Sequence, residues 1–179
     1  MAELSLQDRL QPVLLDRLSD DEPLKMQESR EQRVMSLARL RNSVLRDLSW
    51  LLNTVRFGAS EDLAGCSFVE NSVLNYGVPA FAGDSVSHIG ISQTEDAIRE
   101  AILRFEPRLL PNSVKVRVVE ESLSDESHNC IALEIEAELW CQPVPLHMYL
   151  KTELDLELGA VRVREQSEAE RSENRNRRR

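Results

Sequence analysis

At 179 residues the chain suits one domain with extensions; a domain of about 150 residues buries roughly 70 % of its unfolded-chain surface, so a core needs no staples. The net charge of −9 conceals an asymmetry: residues 162–179 carry seven arginines against four glutamates, net +3, which leaves −12 on residues 1–161. So acidic a body excludes nucleic acid as its partner, and an odd set of three cysteines (Cys66, Cys130, Cys141) excludes a complete internal disulfide framework.

Met1-Ala2-Glu3 opens without basic charge, and no apolar run approaches the roughly 18 residues that span a bilayer. No leader and no membrane insertion are expected, and the thiols point to a reducing, cytoplasmic setting. Residues 1–27 read as a polar arm with a short amphipathic stretch at Leu6, Leu10, Leu14, Leu15 and Leu18, interrupted by Pro12 and closed by Asp20-Asp21-Glu22-Pro23. Its apolar stripe can dock on its own domain or await a partner.

Residues 28–164 read as a single α+β domain, amphipathic helices on one face of a mainly antiparallel meander sheet. The spacing predicts a helix from Glu28 to Val55, with Val34, Leu37, Leu40, Val44, Leu45, Leu48, Leu51, Leu52 and Val55 on one stripe. Trp50 sits off that stripe, where its indole covers the core edge with its N–H near water. Residues 58–91 hold five of the six glycines and the run Ser72 to Pro79. There Val73 and Leu74 can bury, Asn75 can cap or bond a turn and Gly77 permits a positive φ, while Pro79 prevents a long central strand. Ser92 followed by Glu95 predicts a capping box opening a helix that buries Ala97, Ile98, Ala101, Ile102 and Phe105. Pro107 stops that helix, leaving Glu106 and Arg108 on either side of a stiff bend.

Beyond the bend Val114, Val116 and Val118 alternate as a strand, and Ser122 to Asn129 forms a polar hairpin connection. Ile131 to Leu139 and Leu146 to Leu156 are strands with one oily face each, separated by Pro143 and Pro145. Cys130 and Cys141 read as buried thiols of that sheet. A short strand near Val161 and Val163 follows, then an Arg-rich tail at 165–179 read as disordered.

No catalytic template fits. The six glycines form neither G-x-G-x-x-G nor a P-loop, and Gly83-Asp84-Ser85-Val86-Ser87 lacks the second glycine of a nucleophile elbow, which His88 does not rescue. Histidines 88, 128 and 147 and the cysteines never take zinc-ligand spacing, so neither metal nor cofactor is expected, and His147 reads as a strand-face residue. Paired carboxylates are available among 31 acids, but aromatic platforms for a sugar are scarce at 4 % of the chain. Arg108 offers a planar fork for a carboxylate and Glu106 can receive an arginine or backbone N–H groups. The corner either recognises a partner or satisfies itself.

Taken together, Leu15-Asp16-Arg17-Leu18, Ser43 to Asn53 with Arg46-Asp47-Leu48 and Trp50-Leu51-Leu52-Asn53, Ser72 to Pro79, and Ile98 to Phe105 followed by Glu106-Pro107-Arg108 resemble, in order, the TssE family. That family comprises baseplate subunits of type VI secretion systems, related to the lysozyme-like wedge proteins of contractile phage baseplates. The resemblance spans about residues 14–163. It implies a non-enzymatic adaptor on the cytoplasmic, membrane-proximal baseplate, bound to TssF and TssG, joined to the TssB–TssC sheath and meeting TssK indirectly. The family's Glu-Pro-Arg motif, associated with holding the subunit to the wedge, maps onto Glu106, Pro107 and Arg108; Asn75, Tyr76 and Gly77 are further candidate wedge contacts. An exposed sheet edge can template sheath addition by accepting a partner's strand. The alternative is a carboxylate-dependent cell-wall glycan hydrolase, and a third reading is a soluble regulator acting through the amphipathic arm.

Overall fold

A computed structural model describes residues 13–18, 36–81, 90–119, 130–141 and 144–166. Outside these lie Leu6, Leu10, Pro12 and the Asp20 to Pro23 stop of the arm, the expected helix start from Glu28 through Val34, the Gly83 to His88 loop, the Ser122 to Asn129 connection with His128, Pro143, and tail residues 167–179. The elements in order are α1 (Leu14–Leu18), α2 (Leu37–Leu52), a 3₁₀ turn (Phe57–Ala59), α3 (Ser67–Glu70), a second 3₁₀ turn (Val73–Asn75), α4 (Ile91–Phe105), β1 (Lys115–Val118), β2 (Cys130–Leu139), β3 (Leu146–Asp155) and β4 (Val161–Glu165).

The four strands form one antiparallel sheet in the order β1-β2-β3-β4, the expected meander. Its alternation is nearly strict: Ile131, Leu133, Ile135, Ala137 and Leu139 are buried, as are Met148, Leu150, Thr152 and Leu154, while the intervening residues face outward. Thr152 sits in the core without penalty because its hydroxyl donates to the Leu133 carbonyl at 3.1 Å. The two long helices close the oily face, α2 against β4 and α4 against β1. Leu40, Val44, Leu48, Leu51 and Leu52 from α2 and Ile98, Ala101 and Ile102 from α4 complete the core, making the class α+β.

Several local expectations give way to tertiary partners. The helix expected from Glu28 to Val55 is described over Leu37–Leu52, with the Ser36 hydroxyl accepting from Arg39 N–H at its start. Asn53 ends it and reaches across to the sheet, donating to the Val161 carbonyl at 2.8 Å and accepting from Val161 N–H at 2.9 Å, so Val55 lies beyond the helix and is exposed. Ser92 is not an N-cap. Helix α4 begins earlier, at Ile91 after Gly90, and Glu95 does not reach back to Ser92: its Oε1 accepts from Val118 N–H on β1 at 2.7 Å. A strand N–H without a strand partner competes for the carboxylate and wins.

Val73 and Leu74, which by their apolar character can bury, are 78 % and 68 % exposed, because the 3₁₀ turn they occupy is held by its polar flanks rather than by packing. Cys141 is buried as expected, its thiol donating to the Val144 carbonyl, whereas Cys130 is only half-buried at the outer start of β2. Burial, reinforced by Asp155 and Glu153, pushes the Cys130 thiol up. Trp50 is 51 % exposed at the core edge, with the Arg46 guanidinium 5.0 Å above its ring. β4 runs through Glu165, one residue past the boundary expected at 164.

Candidate functional site

The bend after α4 is built from the backbone outward. Glu106 N–H still donates to Ile102, so the helix closes its last turn before Pro107 forces the chain away. Leu109 N–H then returns to the Glu106 carbonyl, while Trp140 N–H donates to Arg108 and Leu110 N–H to Glu138, both at 2.8 Å. The corner is thereby stitched to the end of β2, and the Arg108 side chain leaves from a fixed base.

That side chain turns inward. Arg108 grips Glu106 bidentately, Nε to Oε1 at 2.6 Å and Nη2 to Oε2 at 2.5 Å, and Nη2 also donates to Asp47 Oδ2 at 2.5 Å. Nη1 donates to Ser43 Oγ at 2.9 Å. On α2, Ser43, Arg46 and Asp47 fall at i, i+3 and i+4 and so share one face. Arg46 continues the chain of charges, Nε to Asp47 Oδ1 at 2.9 Å and Nη1 to Asp16 Oδ1 at 2.6 Å, while the Ser43 hydroxyl donates to Asp16 Oδ2 at 2.7 Å. Asp16, Arg46, Asp47, Arg108 and Glu106 thus alternate in sign around Ser43, which is itself buried.

The surroundings set the electrostatics. Burial alone would lower the Arg108 guanidinium, but its bonds to Glu106, and then to Asp47, raise it further above its ordinary range, so it is charged at every practical pH. Burial likewise pushes the Asp16 carboxyl up, yet the hydrogen bonds from Ser43 and Arg46 and the charges of Arg46 and Arg108 prevail and hold it below the usual carboxylate value. Burial, then Asp47 and Glu106, raises the Tyr76 phenol.

The second candidate segment stands beside the first. The Tyr76 ring meets Phe105, the last residue of α4, edge-on at 5.1 Å. Asn75 is 5 % exposed and bonds a turn, accepting from Gly58 N–H at 2.9 Å and donating to the Glu70 carbonyl at 3.0 Å. Gly77 has φ of +123°, and a Cβ there would collide with the Thr54 carbonyl. Among the six candidates Glu106, Asn75 and Gly77 are buried, Arg108 and Tyr76 half-buried, and Pro107 exposed. Within the chain the charged groups of Glu106 and Arg108 bond each other, and Arg108 also bonds Ser43 and Asp47.

Asp16, Ser43, Arg46 and Asp47 belong to this cluster and were not singled out from the sequence as site residues. Apart from the local bonds of Arg46 to Ser43 and Asp47, the bonds that assemble the cluster span 27 to 65 positions, so local spacing does not signal it. The only trace is that each falls in a segment quoted for the family resemblance.

The family model of baseplate wedge protein gp25 matches residues 38–144, more than half of the chain. The chain belongs to the gp25 baseplate wedge family. The match begins in α2 and ends beyond β2, taking in Ser43, Arg46, Asp47, the Asn75 to Gly77 segment and the Glu106 to Arg108 corner of this gp25-family member. No curated protein matches the chain. Among solved structures, one described as "The baseplate complex from the type VI secretion system" is similar at 21 % identity and a TM-score of 0.42, covering 65 % of this chain and 94 % of that one. Among the described residues no helix is long and apolar enough to cross a membrane.

Proposed function

We propose that the chain is a non-enzymatic structural adaptor of a type VI secretion baseplate, the TssE-like subunit that binds the TssF and TssG wedge proteins, anchors or initiates the TssB–TssC sheath and meets TssK indirectly. Its place is the cytoplasmic, membrane-proximal baseplate. The observation that carries this reading is membership of the wedge family over a stretch that contains both candidate segments. The Glu106, Pro107 and Arg108 corner and the adjoining Asn75, Tyr76 and Gly77 segment form the proposed wedge contact. In it Pro107 and the accessible rims of Tyr76 and Arg108 meet the partner, while the buried Glu106 and Asn75 hold their neighbours in place. Holding the contact rigid before the partner arrives lowers the ordering cost of binding.

No observation favours the hydrolase alternative: Asp16, Asp47 and Glu106 are each engaged by an arginine. Co-purification of TssF and TssG tests the adaptor reading. Wild-type chain is expected to retain both, and Pro107→Glu, which removes none of the side-chain bonds of the inward network, is expected to retain less while keeping the wild-type circular dichroism spectrum. Capture of neither partner by wild type would overturn the proposal.

A further inference from the structure

The Arg56 guanidinium has no counter-ion among the described residues. Arg41 and Arg56 each carry an Nε that is shut off from solvent and makes no hydrogen bond, but Arg41 Nε lies 2.9 Å from the Glu165 carboxylate, whereas no described group bonds or ion-pairs with the Arg56 side chain. Its neighbours of the same kind are engaged: Arg46 by Asp16 and Asp47, Arg104 by Glu100 and the Glu70 carbonyl, Arg108 by Glu106 and Asp47. Taking an N–H out of water without giving it an acceptor costs stability, and costs more on a charged group. The free chain bears that cost at Arg56 and recovers nothing for it.

The side chain leaves from a fixed base. Arg56 N–H donates to the Val78 carbonyl at 2.9 Å and Val78 N–H to the Thr54 carbonyl at 2.8 Å, and the Phe57–Ala59 turn begins directly after Arg56. From there Arg56 lines a small cleft against α4. Ala97 and Ala101 fall at i and i+4 on the facing side of that helix, and their short side chains leave the space that Arg56 and Arg104 border. Glu100, on the same side, is held by Arg104 Nη2 at 2.7 Å. Gly77 also lines the cleft, which makes it continuous with the proposed wedge contact.

The charges select the ligand. Two arginines against one glutamate leave a single positive charge, which one carboxylate neutralises; a phosphate dianion would leave excess negative charge beside Glu100, on a body already at −12 over residues 1–161. Arg56 is half-buried overall and its Nη nitrogens are not enclosed as Nε is, so a carboxylate can take them as a planar pair. Val55 and Phe57, on either side of it in the chain, are both exposed and offer apolar contact that keeps water from such an ion pair. That surround suits the side chain of a protein surface.

Resting on the adaptor reading, we infer that Arg56 is a recognition residue for an aspartate or glutamate side chain of a wedge protein, whose carboxylate docks in the cleft between Arg56 and α4. Purified TssF–TssG is the probe, and urea unfolding of the free chain is the second readout. Arg56→Met removes charge and donors but breaks no side-chain bond of the free chain, so its unfolding midpoint is expected to equal or exceed that of wild type while capture of the probe falls about tenfold or more. Arg56→Lys keeps the charge without the fork and is expected to fall between the two. Added salt is expected to weaken wild-type capture more steeply than capture by Arg56→Met, which lacks the ion pair. An Arg56→Met chain that fails to fold or unfolds clearly earlier than wild type makes Arg56 a structural residue, and a folded one with wild-type capture leaves the cleft without this role; either overturns the inference while the adaptor reading stands. Equal salt dependence of the two overturns the carboxylate as ligand. Wild-type chain that captures no TssF–TssG removes the adaptor reading, and the inference with it.

Discussion

Asp16 accepts from Arg46 at 2.6 Å across 30 positions of the chain, and this contact fastens α1 to α2. The fastening is polar: Leu14 and Leu18 on the same short helix remain 70 % and 73 % exposed. Docking of α1 therefore depends on an ionised carboxylate more than on apolar burial, which makes it sensitive to acid.

The direction follows from the depressed Asp16 carboxyl. A group held below its ordinary value of about 3.9 contributes stability above that pH and loses it as pH falls through the lower folded value. Asp16→Asn is expected to cost about 1 kcal/mol at pH 6 and much less at pH 3. Thermal unfolding of both proteins at the two pH values checks this, and a difference that does not shrink in acid would remove Asp16 ionisation as the fastening.

Arg108 poses a different problem, because its partner Glu106 is 4 % exposed. Arg108→Ala leaves that carboxylate buried without its cation and is expected to destabilise the domain by about 3–5 kcal/mol. Replacing both charges together, Glu106→Gln with Arg108→Met, is expected to cost clearly less, since no buried charge is stranded. Urea unfolding separates the two outcomes. Equal losses would mean that the packing of the corner, not its charge balance, holds the bend.

Asn53 links the end of α2 to β4 by a reciprocal pair of bonds to Val161 that imitates a neighbouring strand. Asn53→Ala is expected to cost about 1–2 kcal/mol and to accelerate amide exchange at Val161 over other β4 amides. Unchanged exchange at Val161 would show that the edge there is protected by packing alone.

What the sequence disclosed tracks how local each determinant is. The runs from Ile131 to Leu139 and from Leu146 to Leu156 declare their buried face through a two-residue period, because one side of the sheet is wet, and the stop at Pro107 needs only the missing N–H. The misreadings both turn on groups distant in sequence, in opposite ways: Glu95 leaves Ser92 for Val118, and Val73 and Leu74 stay outside because, among the described residues, no element covers their turn. The corner was legible as a bend bearing opposite charges, but its inward closure depended on Ser43 and Asp47, more than 60 positions away.

Gly77 is the clearest local requirement in the second candidate segment. Its φ of +123° excludes ordinary side chains, and the isolated parallel bridge between Val55 and Val78 brings the Thr54 carbonyl against it, with Val78 N–H donating to that carbonyl at 2.8 Å. Gly77→Ala therefore meets both a strained backbone and a collision, and is expected to cost roughly 2–3 kcal/mol. Because Tyr76 adjoins it and packs on Phe105, the same change should displace the Tyr76 ring and alter its near-ultraviolet signal before the helices melt. Chemical denaturation followed at both wavelengths measures the two effects separately. A stable Gly77→Ala protein with an unaltered tyrosine signal would show that the 75–77 segment tolerates another path, and would remove its claim to hold a preformed contact.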